Sequence, residues 1–470
     1  MAFPEWFGNR SFAWAIGIGL LLATVCNGAG FYLKRVGLMD VDAYQAYWSF
    51  HCRTLHLQPS LEAAGPRCCA LATPAQIAQL EASAGPRGER AQTRFVYRTP
   101  GAELALKLVK DVFGLALLAV SLALLVRRAQ ARPVLQKSWP VGLLLAYAGA
   151  ALVASLALYE PLIALAGARA FMFVGLALLG LWLVPHMALL ASAAAALLAV
   201  QVFLMPFEML RGVHLHGHFH LLPLAGRLSG TLVAPNTLGV FAVCALAFYY
   251  AFAPNRRWLW LVALMALALV LLSGSGTGMV GFGLFLMGAL INRLGPHRRR
   301  FIVIAGSIVL LALVVFLPDL LGRPRLFESL WGRIDGLVSM LAGKAFWEML
   351  FGSGLGVDTN TAGMLVRMLG AESFPRYTQL PSGAAESMLT SRLTQLGLVG
   401  TLLFYGALAW AAVRDHQARI FYAIVAICSL TLQITELFPV NFLLGVALAH
   451  SVVAGGNPKP ASHPEGRLHG

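Results

Sequence analysis

Charge is what this chain has least of. Only 12% of its 470 residues are Asp, Glu, Lys or Arg, against 59% hydrophobic, with a mean hydropathy of +0.73. That scarcity excludes a soluble globular domain, whose surface alone needs about twice as many charges. Acid is scarcer than base, at 20 residues against 35, which leaves a net charge of +15. In a chain this apolar the excess reads as a topological signal and lipid-headgroup contact, and no nucleic-acid partner is expected. Cysteine is also sparse. Of six, Cys26, Cys244 and Cys428 fall in apolar runs and read as packing residues, while Cys52, Cys68 and Cys69 share one polar segment. An oxidising compartment would permit one disulfide there, Cys52 with Cys68 or with Cys69. No CxxC spacing accompanies them, so no metal site is expected. A nucleotide phosphate loop is missing too, because Gly352-Ser-Gly354-Leu-Gly356 lacks the Lys-Ser/Thr ending and reads as a turn or a close packing contact.

What is there is a succession of apolar runs long enough to cross about 30 Å of hydrocarbon, roughly 17 to 25 residues each. The expectation is an all-α, polytopic membrane protein with about twelve spans, near 11–33, 104–126, 140–158, 168–184, 186–208, 237–253, 258–272, 278–292, 301–320, 386–411, 420–436 and 440–455. The first run is too long for a signal peptide and reads as a retained span. Arg127, Arg128, Arg132 and Lys137, then Arg256 and Arg257, then Arg293, Arg298, Arg299 and Arg300, then Arg414 and Arg419 all fall on one side in this count. The positive-inside rule makes that side cytoplasmic, together with both termini and the tail 456–470. Segments 34–103, 211–236 and 321–385 and the turn at Ser273–Thr277 are then external.

Polar chemistry in such a chain stands out where an arginine borders a span, because its desolvation calls for an anionic partner. Arg169 opens the fourth span, Arg211 follows the fifth, Arg227 shares a turn-rich stretch with Pro235 and Asn236, and Arg333 lies in an expected amphipathic helix of segment 321–385. Together they suggest a cationic outer cavity suited to a phosphate or diphosphate. Arg376, Arg392 and Asn236 are counted with Arg169 and Arg333 as substrate-binding residues. So is His218, from the run His214-Leu-His216-Gly-His218-Phe-His220, which reads as a wet loop able to touch an anion. Glu386, at the edge of an apolar run and in the first turn of an expected helix, is the candidate general base.

With these residues in view, the chain resembles the O-antigen ligase and Wzy-type polymerase superfamily of bacterial envelope glycosyltransferases over roughly 104–455. The resemblance rests on Lys110-Asp111, Gly167-Ala-Arg169, Gly230 with Ala-Pro235-Asn236-Thr-Leu-Gly239, Leu272-Ser-Gly-Ser-Gly-Thr277-Gly278, Leu350-Phe-Gly352-Ser-Gly354-Leu-Gly356 and Gln395-Leu-Gly397-Leu-Val-Gly400. It implies a GT-C membrane fold, an active site on the periplasmic face of the inner membrane, no cofactor or metal, and donor and acceptor glycans carried on undecaprenyl diphosphate. A flippase and a chain-length regulator of the same pathway are the implied protein partners. The resemblance assigns diphosphate binding to Arg211 and Arg227, with Arg169 and Arg333 beside them. Family ligases carry a His-Asn pair where this chain has Glu386-Ser387, and the arginine common after the seventh span is missing from Ser273-Gly-Ser275-Gly-Thr277. These departures favour a polymerase, with Glu386, Arg227 and Arg211 as its catalytic residues, over a ligase that passes the glycan to lipid A core. A lipid-linked glycan transporter is the remote alternative, since no internal repeat relates the two halves.

Overall fold

The computed structural model describes residues 10–37, 100–126, 138–211, 228–232, 234–294, 303–307, 316, 326–357, 359, 361–362, 365–366, 373–377 and 387–454. Every regular element among them is a helix. In chain order these are α1 (Arg10–Gly37), α2 (Pro100–Val126), α3 (Trp139–Leu158), α4 (Pro161–Met172), the single turn α5 (Leu176–Leu179), α6 (Met187–Arg211) and α7 (Pro235–Phe252). They continue as α8 (Leu259–Ser273), α9 (Gly276–Ile291), α10 (Leu326–Ala342), α11 (Phe346–Phe351), α12 (Met388–Arg414), α13 (Arg419–Ser429) and α14 (Val440–Ala454).

Among the described residues six helical stretches have the length and apolarity to cross a membrane: 139–158, 161–178, 180–206, 235–252, 256–273 and 388–414. Four shorter apolar helices accompany them. The chain is therefore a polytopic, membrane-embedded helical protein. In lipid every backbone N–H and C=O must bond within the protein, which is why helices are the form these runs take. Burial separates centre from rim: 89% of 235–252 is buried inside the protein against 22% of 139–158. Helix α7 is apolar on all sides and forms the axis, and α3 turns Leu143, Val153 and Leu158 outward.

Two expected spans have different limits. The run expected at 168–184 begins earlier, at Pro161, where proline suits the first helical position. It then breaks at residues 173–175, and the next crossing starts at Gly180. The span expected at 420–436 ends at Ser429, and residues 430–439 run through turns to α14. Thr431, Gln433, Thr435, Glu436 and Pro439 interrupt the apolar pattern there. The freed backbone is satisfied locally, by Glu436 N–H on Gln433 O at 3.0 Å and Leu437 N–H on Ile434 O at 3.2 Å, while Met388 N–H reaches Leu432 O at 3.2 Å. Most of the run expected at 301–320 and all of 38–99, with Cys52, Cys68 and Cys69, lie outside the described residues.

Helix ends sort to two sides. At one, Gln417 donates to Ala251 O, Tyr249 to Asn255 O at 3.2 Å, and the rings of Phe252 and His450 meet edge to face at 4.8 Å. At the other, Leu228 N–H bonds Leu272 O at 3.0 Å and the hydroxyls of Thr277 and Thr431 pair at 2.8 Å. This alternation matches the expected placing of 253–257 and 415–419 on one side and of 273–277 on the other.

One loop enters the bundle. Helix α12 is broken at Gly397, whose φ is 65°. The carbonyls of Thr394 and Gln395, which an unbroken helix would offer to residues 398 and 399, accept instead from Ser353 N–H at 2.8 Å and Gly354 N–H at 3.1 Å. Beyond that junction Gly356, at φ 99°, presses against α4: a Cβ there would stand 2.1 Å from Ile163 O, and one on Gly167 would stand 2.1 Å from Gly356 N. The glycine run is a close packing contact, as its sequence suggested.

Candidate active site

Helix α2 carries adjacent charges at Lys110 and Asp111, about 16 Å along its axis from its first residue. Consecutive helical positions point about 100° apart, so the two reach different neighbours. Lys110, which is buried, donates from Nζ to Asn27 Oδ1 on α1 at 2.6 Å. Asp111 accepts from Arg169 Nε on α4 at 2.6 Å. Arg169 also donates from Nη1 to Thr361 Oγ1 at 3.1 Å. The loop that packs through Gly356 against Gly167 thus sets Thr361 beside the same guanidinium.

A third cation comes from α12. Ser387 caps that helix by accepting from Thr390 N–H at 3.1 Å, and Arg392 follows in its second turn with no exposed surface. Its guanidinium lies 4.3 Å from the centre of the Phe171 ring and 5.9 Å from that of Phe404. One terminal nitrogen donates to Thr435 Oγ1, whereas Nε and Nη1 are buried with no hydrogen-bond partner. An arginine this desolvated is costly unless an anion shares its site.

The turn segment 430–439 closes the arrangement. Asn441 Nδ2 donates to Thr435 O at 3.0 Å, fixing the backbone that presents Thr435 and Glu436. Glu436 sits in the field of Arg392, Arg169 and Lys110, and its Oε1 is buried without a hydrogen-bond partner. Lys110, Asp111, Arg169, Thr361, Thr435, Glu436 and Asn441, with Ala166, Ala170 and Phe173, line a narrow, partly open cleft. Three cations thus stand against two carboxylates, and Lys107, one turn away on α2, adds to the positive field at Lys110. The cluster can accept an anionic group together with hydroxyl donors.

Of the residues expected from sequence, Arg169 lines this cleft and Arg392 stands behind Thr435 and Glu436. Asn236 lies in the first turn of α7, half-buried, with Ser275 Oγ on its carbonyl at 3.4 Å, and is not among the cleft residues. Arg376 is exposed, and it is its backbone N–H that is held, by Glu160 Oε1 at 2.8 Å. Arg211 ends α6 and Arg333 lies within α10, but their side chains are outside the description. Glu386, Arg227 and His218 lie outside the described residues. The sequence reading gave no role to Lys110, Asp111 or Glu436. Their signal was present as charges inside apolar runs, where an ionisable residue is a functional candidate by default.

No protein-family model matches the chain, and neither a curated protein nor a solved structure does.

Proposed function

We propose that this protein is a membrane glycosyltransferase of the Wzy-type polymerase class, with a GT-C arrangement of about twelve spans. It joins oligosaccharide repeat units carried on undecaprenyl diphosphate at the periplasmic face of a bacterial inner membrane. One observation carries the reading: Lys110 and Arg169 in a cleft set among membrane-embedded helices, with the fully buried Arg392 behind its wall, outnumber Asp111 and Glu436. A diphosphate supplies the missing negative charge, and its lipid tail suits the apolar surroundings. Guanidinium groups keep their charge at any working pH and make paired bonds to phosphate oxygens. They bind the ground state and also stabilise the charge that develops on the departing diphosphate.

In the reaction the acceptor hydroxyl displaces undecaprenyl diphosphate at the anomeric carbon and inverts its configuration. The positive-inside rule, applied to Arg256, Arg257, Arg414 and Arg419, supports a cleft that faces away from the cytoplasm. Purified protein incubated with its undecaprenyl-diphosphate repeat unit, without nucleotide sugar or divalent metal, is expected to give a ladder of glycan lengths in multiples of the unit. An unextended unit would refute polymerisation. Transfer of the label to added lipid A core would place the protein with the ligases instead.

A further inference from the structure

The geometry points to Glu436 as the group that takes the proton from the acceptor hydroxyl, an inference that rests on the glycosyl-transfer reading above. Two carboxylates line the cleft, Asp111 and Glu436. Asp111 is engaged by Arg169 Nε at 2.6 Å, so its charge is already committed to holding that guanidinium. Glu436 differs. Its Oε1 has lost water and found no donor within the protein, while the residue as a whole is partly exposed where it meets the cleft. A buried carboxylate oxygen without a donor is expensive to maintain, and such exceptions call for a ligand or a catalytic role. A sugar hydroxyl is the donor that the cleft lacks.

Its surroundings fit the chemistry. Arg392, Arg169 and Lys110 all act on Glu436 electrostatically. Two of them, Arg169 and Lys110, line the same cleft and would hold the leaving diphosphate, so proton acceptor and leaving-group site share one cluster. The backbone that carries Glu436 is pinned on both sides, by Arg392 on the Thr435 hydroxyl and by Asn441 Nδ2 on the Thr435 carbonyl. In the step, the Glu436 carboxylate, where it meets the cleft, accepts the hydroxyl proton as the acceptor oxygen forms its bond to the anomeric carbon. The bond from that carbon to the phosphate oxygen breaks, and its electron pair leaves with the diphosphate. The proton then passes from Glu436 to water at the mouth of the cleft.

The test compares wild type and Glu436→Gln for the rate of ladder formation and for binding of radiolabelled undecaprenyl diphosphate. Glu436→Gln is expected to slow the ladder by about 10²-fold or more, the usual scale of a general base, with no loss of affinity for undecaprenyl diphosphate. A Glu436→Gln ladder within threefold of wild type overturns the assignment, as does a loss of affinity in step with the rate, which would make Glu436 a packing or binding residue. Wild type that forms no ladder removes the premise along with the proposal. Labelling of wild type with dicyclohexylcarbodiimide, an apolar carboxyl reagent, needs no variant to fold. The label is expected on Glu436 by peptide mapping and is expected to fall at least fivefold when undecaprenyl diphosphate is present; an unlabelled or unprotected Glu436 overturns the proposal.

Discussion

Arg392 is the residue on which the site's energetics turn. It has no exposed surface, two unpartnered nitrogens, and aromatic rings of Phe171 and Phe404 against its plane. Removing it would leave Glu436 without its nearest compensation, and breaking a buried charge arrangement from one side costs about 3–5 kcal/mol. Arg392→Ala is therefore expected to unfold well below wild type in a thermal assay in detergent. Arg392→Lys keeps the charge but loses the planar fork and the ring stacking, and it is expected to stay folded with weakened lipid-diphosphate binding; equal stability of Arg392→Ala and wild type would contradict the burial argument. From sequence, Arg169 and Arg392 could be picked out because arginine beside an apolar run needs an explanation. Glu436 carried the same signal, a charge at the end of the apolar run 420–436, but a continuous span there gives it no direction. Only the turns that follow Ser429 show that Glu436 is turned into the cluster.

At the scale of elements, the site depends on a helix that is broken and a loop that fills the break. The Thr394 and Gln395 carbonyls released at Gly397 are taken up by Ser353 and Gly354, and the hydroxyl of Tyr147 on α3 bonds both Phe351 O and Leu396 O at 3.0 Å. The same loop carries Thr361 to Arg169. Gly356→Ala is expected to cost about 2 kcal/mol or more, because left-handed backbone is strained for alanine and the added carbon meets Ile163 O. Circular dichroism melting together with the ladder assay checks it, and an unchanged melting temperature would contradict the packing described. Most helices were legible as apolar runs and α10 as an amphipathic helix, while α11 and the first turns of α4 were not read. Which runs break was less legible, because a break such as that at residues 173–175 depends on what crosses it. Here the crossing element is α14, where a Cβ on Gly445 would stand 1.9 Å from Phe173 O.

For the molecule as a whole, polar clusters occupy both ends of the bundle and differ in kind. Opposite the cleft, Asp415 at the end of α12 meets His450 Nδ1 at 2.7 Å and Ser451 Oγ at 3.2 Å from α14, and accepts from Gln417 and Ala418 N–H at 3.1 and 3.2 Å. Every acceptor there is used, which marks a latch between α12, α13 and α14 rather than a site awaiting a ligand. Burial alone would raise the Asp415 carboxyl, but the donors from His450, Ala418 and Ser451 outweigh it and hold the group below the usual carboxylate range. A carboxyl held lower in the folded protein than in the unfolded chain stabilises at neutral pH, and that contribution fades as pH falls below about 4. Thermal stability is therefore expected to drop on acidification through that range in wild type and to change less in Asp415→Asn; equal acid sensitivity of the two would contradict the latch.

The excess of positive charge around the cleft is the property on which the proposed function rests, and affinity for a lipid-linked diphosphate tests it directly. Binding of undecaprenyl diphosphate and of undecaprenol would be compared in wild type, Arg169→Ala and Arg392→Lys. The expected result is a preference of wild type for the diphosphate of about 100-fold or more, equivalent to about 2.7 kcal/mol, with the preference reduced at least tenfold in each folded variant. Equal affinity for the two lipids, or a preference that survives both substitutions, would contradict the assignment of the cleft.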